Sequence, residues 1–199
     1  MKILQALETM AAAVREDHAM LLHYDGKYGG PGGEGGLARD LVVRVGFQML
    51  AACRAMQACA EAGIPLAPQI ASRAIRHLYG SDVHWEATLE PGIVVVHGIG
   101  LAISRAAHVK RGAILFQHVT LGLGVDPKSR AVGAPTIERD THIGAGSTLV
   151  GPITVGARSK VTANCFVRDS VPADSLVEAP PPTVSRRERT DGRSPEAGI

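Results

Sequence analysis

The stretch IERDTHIGAGSTLVGPITVGARSKVTANCFV, residues 137–167, has a large aliphatic residue at every sixth position. These positions are Ile137, Ile143, Leu149, Val155, Val161 and Val167. An α-helix cannot keep a period of six on one face, and the repeated Gly and Pro residues would break it. Six residues per strand and turn, with three such units per coil, are typical of a parallel β-helix of hexapeptide repeats, whose coils stack to bury a shared apolar column. A meander of short strands is the alternative, but ordinary hairpins do not hold one phase over so many repeats.

The same period continues towards the N-terminus. Its earlier members are Ile103, Val109, Leu115 and Leu121. The next member, Ile137, follows Leu121 by sixteen residues, which is not a multiple of six. Residues 122–136 are therefore predicted to leave the β-helix as an extruded loop, which is either a tolerated insertion or part of a site. We predict that the β-helix domain spans residues 79–172.

The residues before the repeats have apolar side chains at helical spacing. Ile3–Tyr24 and Leu37–Ala62 are each predicted to form one helix, and a third helix runs on to about Tyr79. Residues 26–36 between the first two are rich in glycine and are predicted to form a mobile loop. This helical region, residues 1–78, would cap the first coil, whose open sheet edge otherwise invites pairing with another chain.

Composition and charge exclude several classes of protein. The formal net charge is only +2 and the basic residues are scattered, so we expect no nucleic-acid partner. No apolar run approaches the roughly 18 residues that would span a bilayer, and no leader is visible, so we expect a cytoplasmic protein without membrane contact. Cys53, Cys59 and Cys165 lack metal-ligand spacing and are read as reduced, structural thiols. Residues 173–199 are proline-rich and then charged, which predicts a flexible C-terminal tail.

Asp82 and His97 are candidates for acid and base chemistry. They lie fifteen residues apart, and since a regular coil holds eighteen residues, such positions lie nearly above one another in adjacent coils. A carboxylate against an imidazole fixes the tautomer and leaves the other ring nitrogen free to accept a proton from a hydroxyl group. The alternative is that His97 is a buried, hydrogen-bonded residue in a position that otherwise takes aliphatic side chains.

Four motifs resemble those of the serine acetyltransferase family. They are SDVHW at 81–85, VVHGIG at 95–100, LFQHVTLGLG at 115–124 and IGAGSTLVGPITVG at 143–156. The resemblance implies an α+β fold, in which an N-terminal helical region precedes a left-handed parallel β-helix. It also implies a homotrimer, or a dimer of trimers, with active sites between neighbouring β-helices. His97 is then the general base, Asp82 its orienting carboxylate and acetyl-CoA the co-substrate, and no metal is required.

Family members hold acetyl-CoA along the later coils, mainly through backbone groups. The positions here that match the family's cofactor contacts are Gly122, Ala145, Ala163 and Lys160. Small residues let the thin pantetheine arm approach the backbone, and the lysine lies near the cofactor phosphates in the family. Alternatively, Ala145 and Ala163 are small only because hexapeptide turns need small residues. Leu123 replaces a family glycine, which alters the detail of that contact.

The acceptor side of the site departs from the family pattern. Family members bind their amino-acid acceptor through two acidic residues and an Arg-His pair. The matching positions here are Pro31, Val96, Gly133 and Ala134. The residues that could supply replacement charges are Glu34, Lys128 and Arg130. Each of these three is alternatively a solvated surface residue.

The sequence favours an acetyl-CoA-dependent O-acetyltransferase, in which His97 deprotonates a small hydroxyl acceptor that attacks the thioester directly. A true serine O-acetyltransferase of cysteine biosynthesis with a rebuilt pocket is one alternative, and a catalytically inactive trimeric scaffold is another. A zinc site of the carbonic-anhydrase kind would need three histidines, but His97, His108 and His118 do not stack at multiples of eighteen. Family tails that end in isoleucine dock into a PLP-dependent enzyme, so Ile199 is a candidate partner contact.

Overall fold

A computed structural model describes residues 1–30 and 36–185. Within these residues four helices precede the repeats, and short strands follow from Asp82 onwards. The helices are α1 Lys2–Tyr28, α2 Gly36–Val43, α3 Val45–Glu61 and α4 Ala67–Tyr79. The strands are β1 Asp82–Val83, β2 Thr88–Leu89, β3 Val94–Val95, β4 Ala102–Ile103, β5 His108–Val109, β6 Ile114–Leu115, β7 Thr120–Gly122, β8 Gly124–Val125, β9 Val132–Gly133, β10 Thr136–Ile137, β11 His142–Ile143, β12 Thr148–Val150, β13 Thr154–Val155, β14 Lys160–Val161, β15 Phe166–Val167 and β16 Leu176–Val177.

The strands form a three-sided prism in which each coil contributes one strand to each face. The first face has the order β1-β4-β7-β12-β15, the second β2-β5-β10-β13 and the third β3-β6-β11-β14-β16. Neighbouring strands of a face are parallel. This is the left-handed parallel β-helix behind an N-terminal helical region that the sequence predicts, and the fold prediction is confirmed.

The aliphatic residues with period six fill the prism. Each is the second residue of a strand, so its side chain points inward, and Val109, Leu115, Leu121, Ile137 and Leu149 are all fully buried. One layer of aliphatic side chains per coil therefore forms a continuous core, because each layer packs on the layers above and below it.

The coils are not all of equal length. Asp82 pairs with Ala102, so the first coil takes twenty residues, whereas Ala102 pairs with Thr120 after the regular eighteen. The assumption of eighteen residues between stacked positions is therefore wrong for the first coil. The two additional residues lie between β3 and β4, in the turn that carries His97.

The predicted extruded loop contains a small hairpin. Strands β8 and β9 pair in the antiparallel sense, with Val125 opposite Val132. The carboxylate of Asp126 closes the turn, accepting hydrogen bonds from the backbone N–H of Lys128 at 2.9 Å and from the hydroxyl group of Ser129 at 2.8 Å. The chain thus leaves the prism and returns to it through a hydrogen-bonded excursion.

The second predicted helix is two helices, because Arg44 has an extended backbone with φ −99° and ψ 93°. The break lets Gly46 lie directly on the first coil, where a Cβ atom on Gly46 would be only 2.0 Å from the carbonyl oxygen of Val95. The guanidinium group of Arg44 donates a hydrogen bond to Asp25 at 2.7 Å, which fixes the bend against α1.

A buried ion pair joins the helices to the first coil. Arg54 on α3 donates through Nε to Asp17 on α1 at 2.8 Å, and both side chains are almost fully buried. Asp17 also accepts a hydrogen bond from the N–H of Gly92 at 2.8 Å, and Arg54 donates to the carbonyl of Glu90 at 2.8 Å. Since both charges have several hydrogen-bond partners, their desolvation is compensated, and the helices cap the coil in one fixed orientation.

Candidate functional site

His97 projects into solvent from the long turn between β3 and β4, so the alternative of a buried histidine is wrong. The backbone of this turn is held firmly. Gly98 has φ +69° and lies so close to α3 that a Cβ atom there would be 2.8 Å from the Cα atom of Gly46. The N–H of Val96 donates to the carbonyl of Leu115 at 3.0 Å. The structure therefore combines an exposed imidazole with a rigid support.

Ser81 connects this turn to Asp82. Its hydroxyl group is completely buried, donates to the carbonyl of Gly98 at 3.1 Å and accepts from the N–H of Leu101 at 3.1 Å. Asp82, the next residue, has a half-exposed carboxylate that pairs with Arg76 at 2.6 Å. Among the hydrogen bonds of the described residues, none joins Asp82 to His97. The backbones of the two candidate residues are thus linked through Ser81, and the orienting role of Asp82 stays a prediction.

Ala145, Ala163 and Lys160 line a single cavity of about 440 Å³. Its other lining residues include Tyr24 and Tyr28 of α1 and Phe116 and Gly144 of the coils. The two alanines lie on successive turns between the third and first faces, since the N–H of Asn164 donates to the carbonyl of Ala145 at 2.8 Å. These turns continue the prism edge on which the His97 turn lies.

Gly122 lies elsewhere, at the far end of the first face. It pairs with Val150 in β12 and lines a different cavity, of about 370 Å³, together with Asp82 and the exposed Leu123. One face of the prism therefore separates Gly122 from the edge that carries Ala145. Within one chain the predicted cofactor residues form two groups.

The candidate acceptor residues are spread over the extruded loop and the glycine-rich loop. Lys128 and Arg130 are exposed at the hairpin turn. Glu34, like Pro31, lies outside the described residues. Val96, which replaces a family acid, packs against the apolar cluster beneath α1, and Ala134 is buried. The family's polar positions are thus occupied by small or apolar side chains in these places.

Sequence reasoning missed the contribution of α1 to the site. Tyr24 and Tyr28 are one helical turn apart and project towards the coils, and the Tyr28 hydroxyl lies 3.5 Å from Nε2 of His142. The four-residue spacing of two tyrosines places them on one helix face. That spacing was the available signal, but it does not reveal which surface the face covers.

Neither a cluster of metal ligands nor an activated thiol adds a second chemical centre in the described residues. No three His, Cys, Asp or Glu side chains of residues 1–30 and 36–185 come together as metal ligands would. All three cysteines are free thiols, and burial raises the pKa of Cys53 to about 12, which makes it a poor nucleophile. No helix in this part of the chain combines the length and apolarity needed to cross a bilayer.

Comparisons with known proteins agree in sequence and in fold, although no family model matches the chain. The serine acetyltransferase of Synechococcus elongatus is 32% identical over 142 residues, covering 71% of this chain and 57% of that protein. The serine acetyltransferase of Bacillus subtilis is 34% identical over 109 residues, covering 55% of this chain and 49% of that protein. The chain thus spans about half the length of the curated relatives it matches.

Solved structures of similar fold include two with bound amino acids. Serine acetyltransferase isoform 3 of Entamoeba histolytica in complex with cysteine has a TM-score of 0.74 at 24% identity, covering 93% of this chain and 64% of that one. The serine acetyltransferase of Neisseria gonorrhoeae in complex with serine has a TM-score of 0.76 at 23% identity, covering 89% of this chain and 71% of that one. A serine acetyltransferase in complex with CoA has a TM-score of 0.74 at 22% identity, covering 87% and 69%.

Proposed function

Because the chain belongs to the serine acetyltransferase family, we propose that it transfers the acetyl group of acetyl-CoA to the hydroxyl oxygen of a small acceptor. One observation carries the proposal. The exposed imidazole of His97 lies on a rigid turn, on the same prism edge as Ala145 and Ala163, which line a cavity of about 440 Å³. Relatives named for this activity, and a solved relative with CoA, support the choice of donor.

The reaction follows from the position of the imidazole. His97 accepts the proton of the acceptor hydroxyl as its oxygen forms a bond to the thioester carbonyl carbon. The tetrahedral oxyanion then collapses, the carbon–sulfur bond breaks, and the imidazolium returns the proton to the CoA sulfur. General base catalysis of this kind contributes roughly 10² to 10⁴ to the rate. Holding both substrates in line supplies a further share, because two reactants no longer need to meet in solution.

Asp82 is proposed to orient the imidazole in the working enzyme. For this the carboxylate must turn away from Arg76, with which it forms a half-exposed ion pair. Such exposed pairs are worth about 0–1 kcal/mol, so the rearrangement costs little. The buried contact of Ser81 with Gly98 supports this role, because it holds the two backbones together in any side-chain arrangement.

A homotrimer would complete the site. Gly122 and Ala145 lie on opposite sides of one prism face, so a single chain cannot bring both to the same cofactor. A neighbouring prism could present its Gly122 and its extruded loop, with Lys128 and Arg130, to the edge that carries His97. We also propose that two trimers form the larger assembly and that the protein is cytoplasmic.

The acceptor is proposed to differ from serine. The polar groups through which the family binds an amino acid are replaced here by Val96, Gly133 and Ala134. An amino acid whose charged groups have no partners in the site would bind weakly. Glu34, Lys128 and Arg130 remain proposed replacement contacts. Serine itself is the second candidate, because the relatives in sequence carry that name and one relative in fold was solved with serine.

The C-terminal residue, Ile199, is proposed to dock into a PLP-dependent enzyme that consumes the acetylated product. Ile199 lies outside the described residues, so the proposal rests on the sequence. A free carboxylate imitates an amino-acid substrate, and one apolar side chain fills a small pocket.

The test is the release of free CoA by the purified protein from acetyl-CoA against serine, homoserine, other hydroxy amino acids and sugars. We expect release with at least one hydroxyl acceptor, and a kcat/KM for that acceptor above the value for serine. A highest kcat/KM with serine would select the second candidate. No release with any acceptor, although acetyl-CoA binds, would favour the inactive scaffold.

A further inference from the structure

The carboxylate of Asp82 forms an ion pair that competes with its proposed role beside His97. Its Oδ1 atom lies 2.6 Å from Nη2 of Arg76, which belongs to the last turn of α4. Such a charge-assisted hydrogen bond occupies the carboxylate. If Asp82 instead turns to the imidazole, the guanidinium group of Arg76 loses its anion. The orienting role of Asp82 therefore calls for a second anion that can take its place on Arg76.

The surface around Asp82 favours an anion once this carboxylate has turned away. Asp82 lines a cavity of about 370 Å³ together with His84 and Arg105, and it is the one carboxylate in that lining within the described part of the chain. Its neighbour on the first face is Ala102, whose small side chain leaves room for a small ligand. Rotation of Asp82 would thus leave Arg76 and Arg105 as the charged groups of this surface, which creates a local positive potential.

This surface is adjacent to the proposed general base. Ser81 precedes Asp82, and its buried hydroxyl group donates to the carbonyl of Gly98, the residue after His97. The start of the first face and the turn of His97 are therefore fixed against each other. A small acceptor could hold an anionic group against Arg76 while its hydroxyl group meets the imidazole.

The acidic residues that suit an amino group are missing from the matching positions. Two acids are the natural partners of an ammonium group, and Pro31 and Val96 stand at their positions here. A carboxylate, in contrast, still meets a guanidinium group, that of Arg76, whose planar fork matches a carboxylate. These residues favour an acceptor that carries a carboxylate and no amino group.

We propose that the acceptor is a small hydroxy acid, whose carboxylate takes the place of Asp82 on Arg76 and so releases Asp82 to orient His97. The inference rests on the proposed function and deepens it, because it names the substrate class and makes Arg76 a specificity-determining residue. One carboxylate replaces another, so the guanidinium group has an anionic partner before and after the exchange. A neutral acceptor cannot make this exchange, and it meets a site in which Asp82 still points towards α4. Binding of the correct acceptor thus completes the catalytic arrangement.

Steady-state kinetics with glycolate, lactate and glycerate, each beside its neutral amide, tests the assignment. We expect the best acid to have a kcat/KM at least about tenfold above that of its amide, and above that of serine, because only the acid contacts Arg76. Arg76→Met should lower kcat/KM for the acid at least about tenfold. The value for the amide should not fall, and it should rise by up to about fivefold, since the variant frees Asp82 from a weak, half-exposed pair.

Arg73→Met is the matched control, because it removes the same charge from an exposed position one turn earlier on α4. It should leave the ratio of acid to amide within about twofold of wild type. Arg76→Lys should keep part of the preference, since it retains the charge but not the planar fork.

Three results would overturn the assignment. They are a ratio of acid to amide near one in the wild type, an unchanged ratio in Arg76→Met, and equal losses for acid and amide in that variant, which would reduce Arg76 to a structural residue. A kcat/KM for serine above that of every hydroxy acid would overturn the substrate class. The proposed function fails separately, because isothermal titration with the hydroxy acids in the presence of CoA needs no turnover. If an acid binds to the wild type and not to Arg76→Met, while no acceptor is acetylated, the anion site stands and the acetyltransferase proposal falls.

Discussion

Ser81→Ala should damage both stability and turnover, because one buried hydroxyl group supports the His97 turn. The variant leaves the N–H of Leu101 and the carbonyl of Gly98 without their partner in a fully buried place. An unsatisfied buried group costs about 1–3 kcal/mol, so we expect a loss of about 2–3 kcal/mol for the pair, after some relaxation. For a chain of this size that corresponds to a decrease in Tm of roughly 4–12 °C.

Turnover should fall about tenfold to a hundredfold, since a displacement of the reacting groups by about 1 Å has that effect. Ser147→Ala is the matched control. Ser147 is equally buried and makes the same kind of contact, donating to the carbonyl of Thr162 at 2.8 Å and accepting from the N–H of Cys165 at 3.3 Å. It should lose comparable stability but keep kcat at saturating acetyl-CoA within about twofold, because its turn carries the proposed cofactor contact Ala145 and not the imidazole, so any displacement there should appear in the KM for acetyl-CoA. Equal losses of kcat in both variants, or none in Ser81→Ala, would refute the reasoning.

Three further predictions follow from other contacts. Asp17→Asn should destabilise the fold by about 3–5 kcal/mol in urea unfolding, because the buried charge of Arg54 loses its partner; a loss below about 1 kcal/mol would contradict this. The backbone N–H of Arg111 donates a hydrogen bond to the carboxylate of Glu90 at 3.0 Å. This hydrogen bond is the main reason why the pKa of Glu90 is lowered. The stabilisation that ionised Glu90 contributes is therefore present above its unfolded-state pKa and is lost as the pH falls through its folded-state pKa. Glu90→Gln should flatten the acid side of the curve of unfolding free energy against pH. An unchanged curve would contradict this prediction. Deleting Ile199 should abolish the calorimetric binding that we expect with candidate PLP-dependent enzymes, and equal binding by intact and truncated chains, or no binding by the intact chain, would remove the proposed partner contact.

The regular part of the fold could be predicted because its physical cause repeats along the chain. Ile137 and Leu149 occupy equivalent positions, and each buries its side chain in the same way. Each irregular part depends on a spacing or a contact that occurs only once in the pattern and is therefore harder to recognise. The length of the first coil was harder to predict, because Val95 and Ile103 are eight residues apart and interrupt the period of six. Val83, Leu89 and Val95, within that coil, do follow the period.

The site was only partly visible in the sequence. The motif identifies His97, but its support depends on Gly46, which meets the turn through tertiary packing that no local pattern specifies. Tyr28 belongs to a helix whose apolar spacing predicts a buried face without specifying which surface that face covers. The hairpin in the extruded loop pairs through its backbone, and Val125 and Val132 are exposed, so no apolar alternation indicates it.

Turnover of the His97→Ala variant tests the central claim most directly. With acetyl-CoA and the best acceptor of the panel, kcat should fall by at least about a hundredfold, because the hydroxyl group loses its proton acceptor. The fold should stay intact, since the imidazole is exposed and contributes nothing to the core. The affinity for CoA should therefore stay within about twofold of wild type. Asp82→Asn should lower kcat less. Turnover by His97→Ala close to the wild-type rate would contradict general base catalysis by this residue.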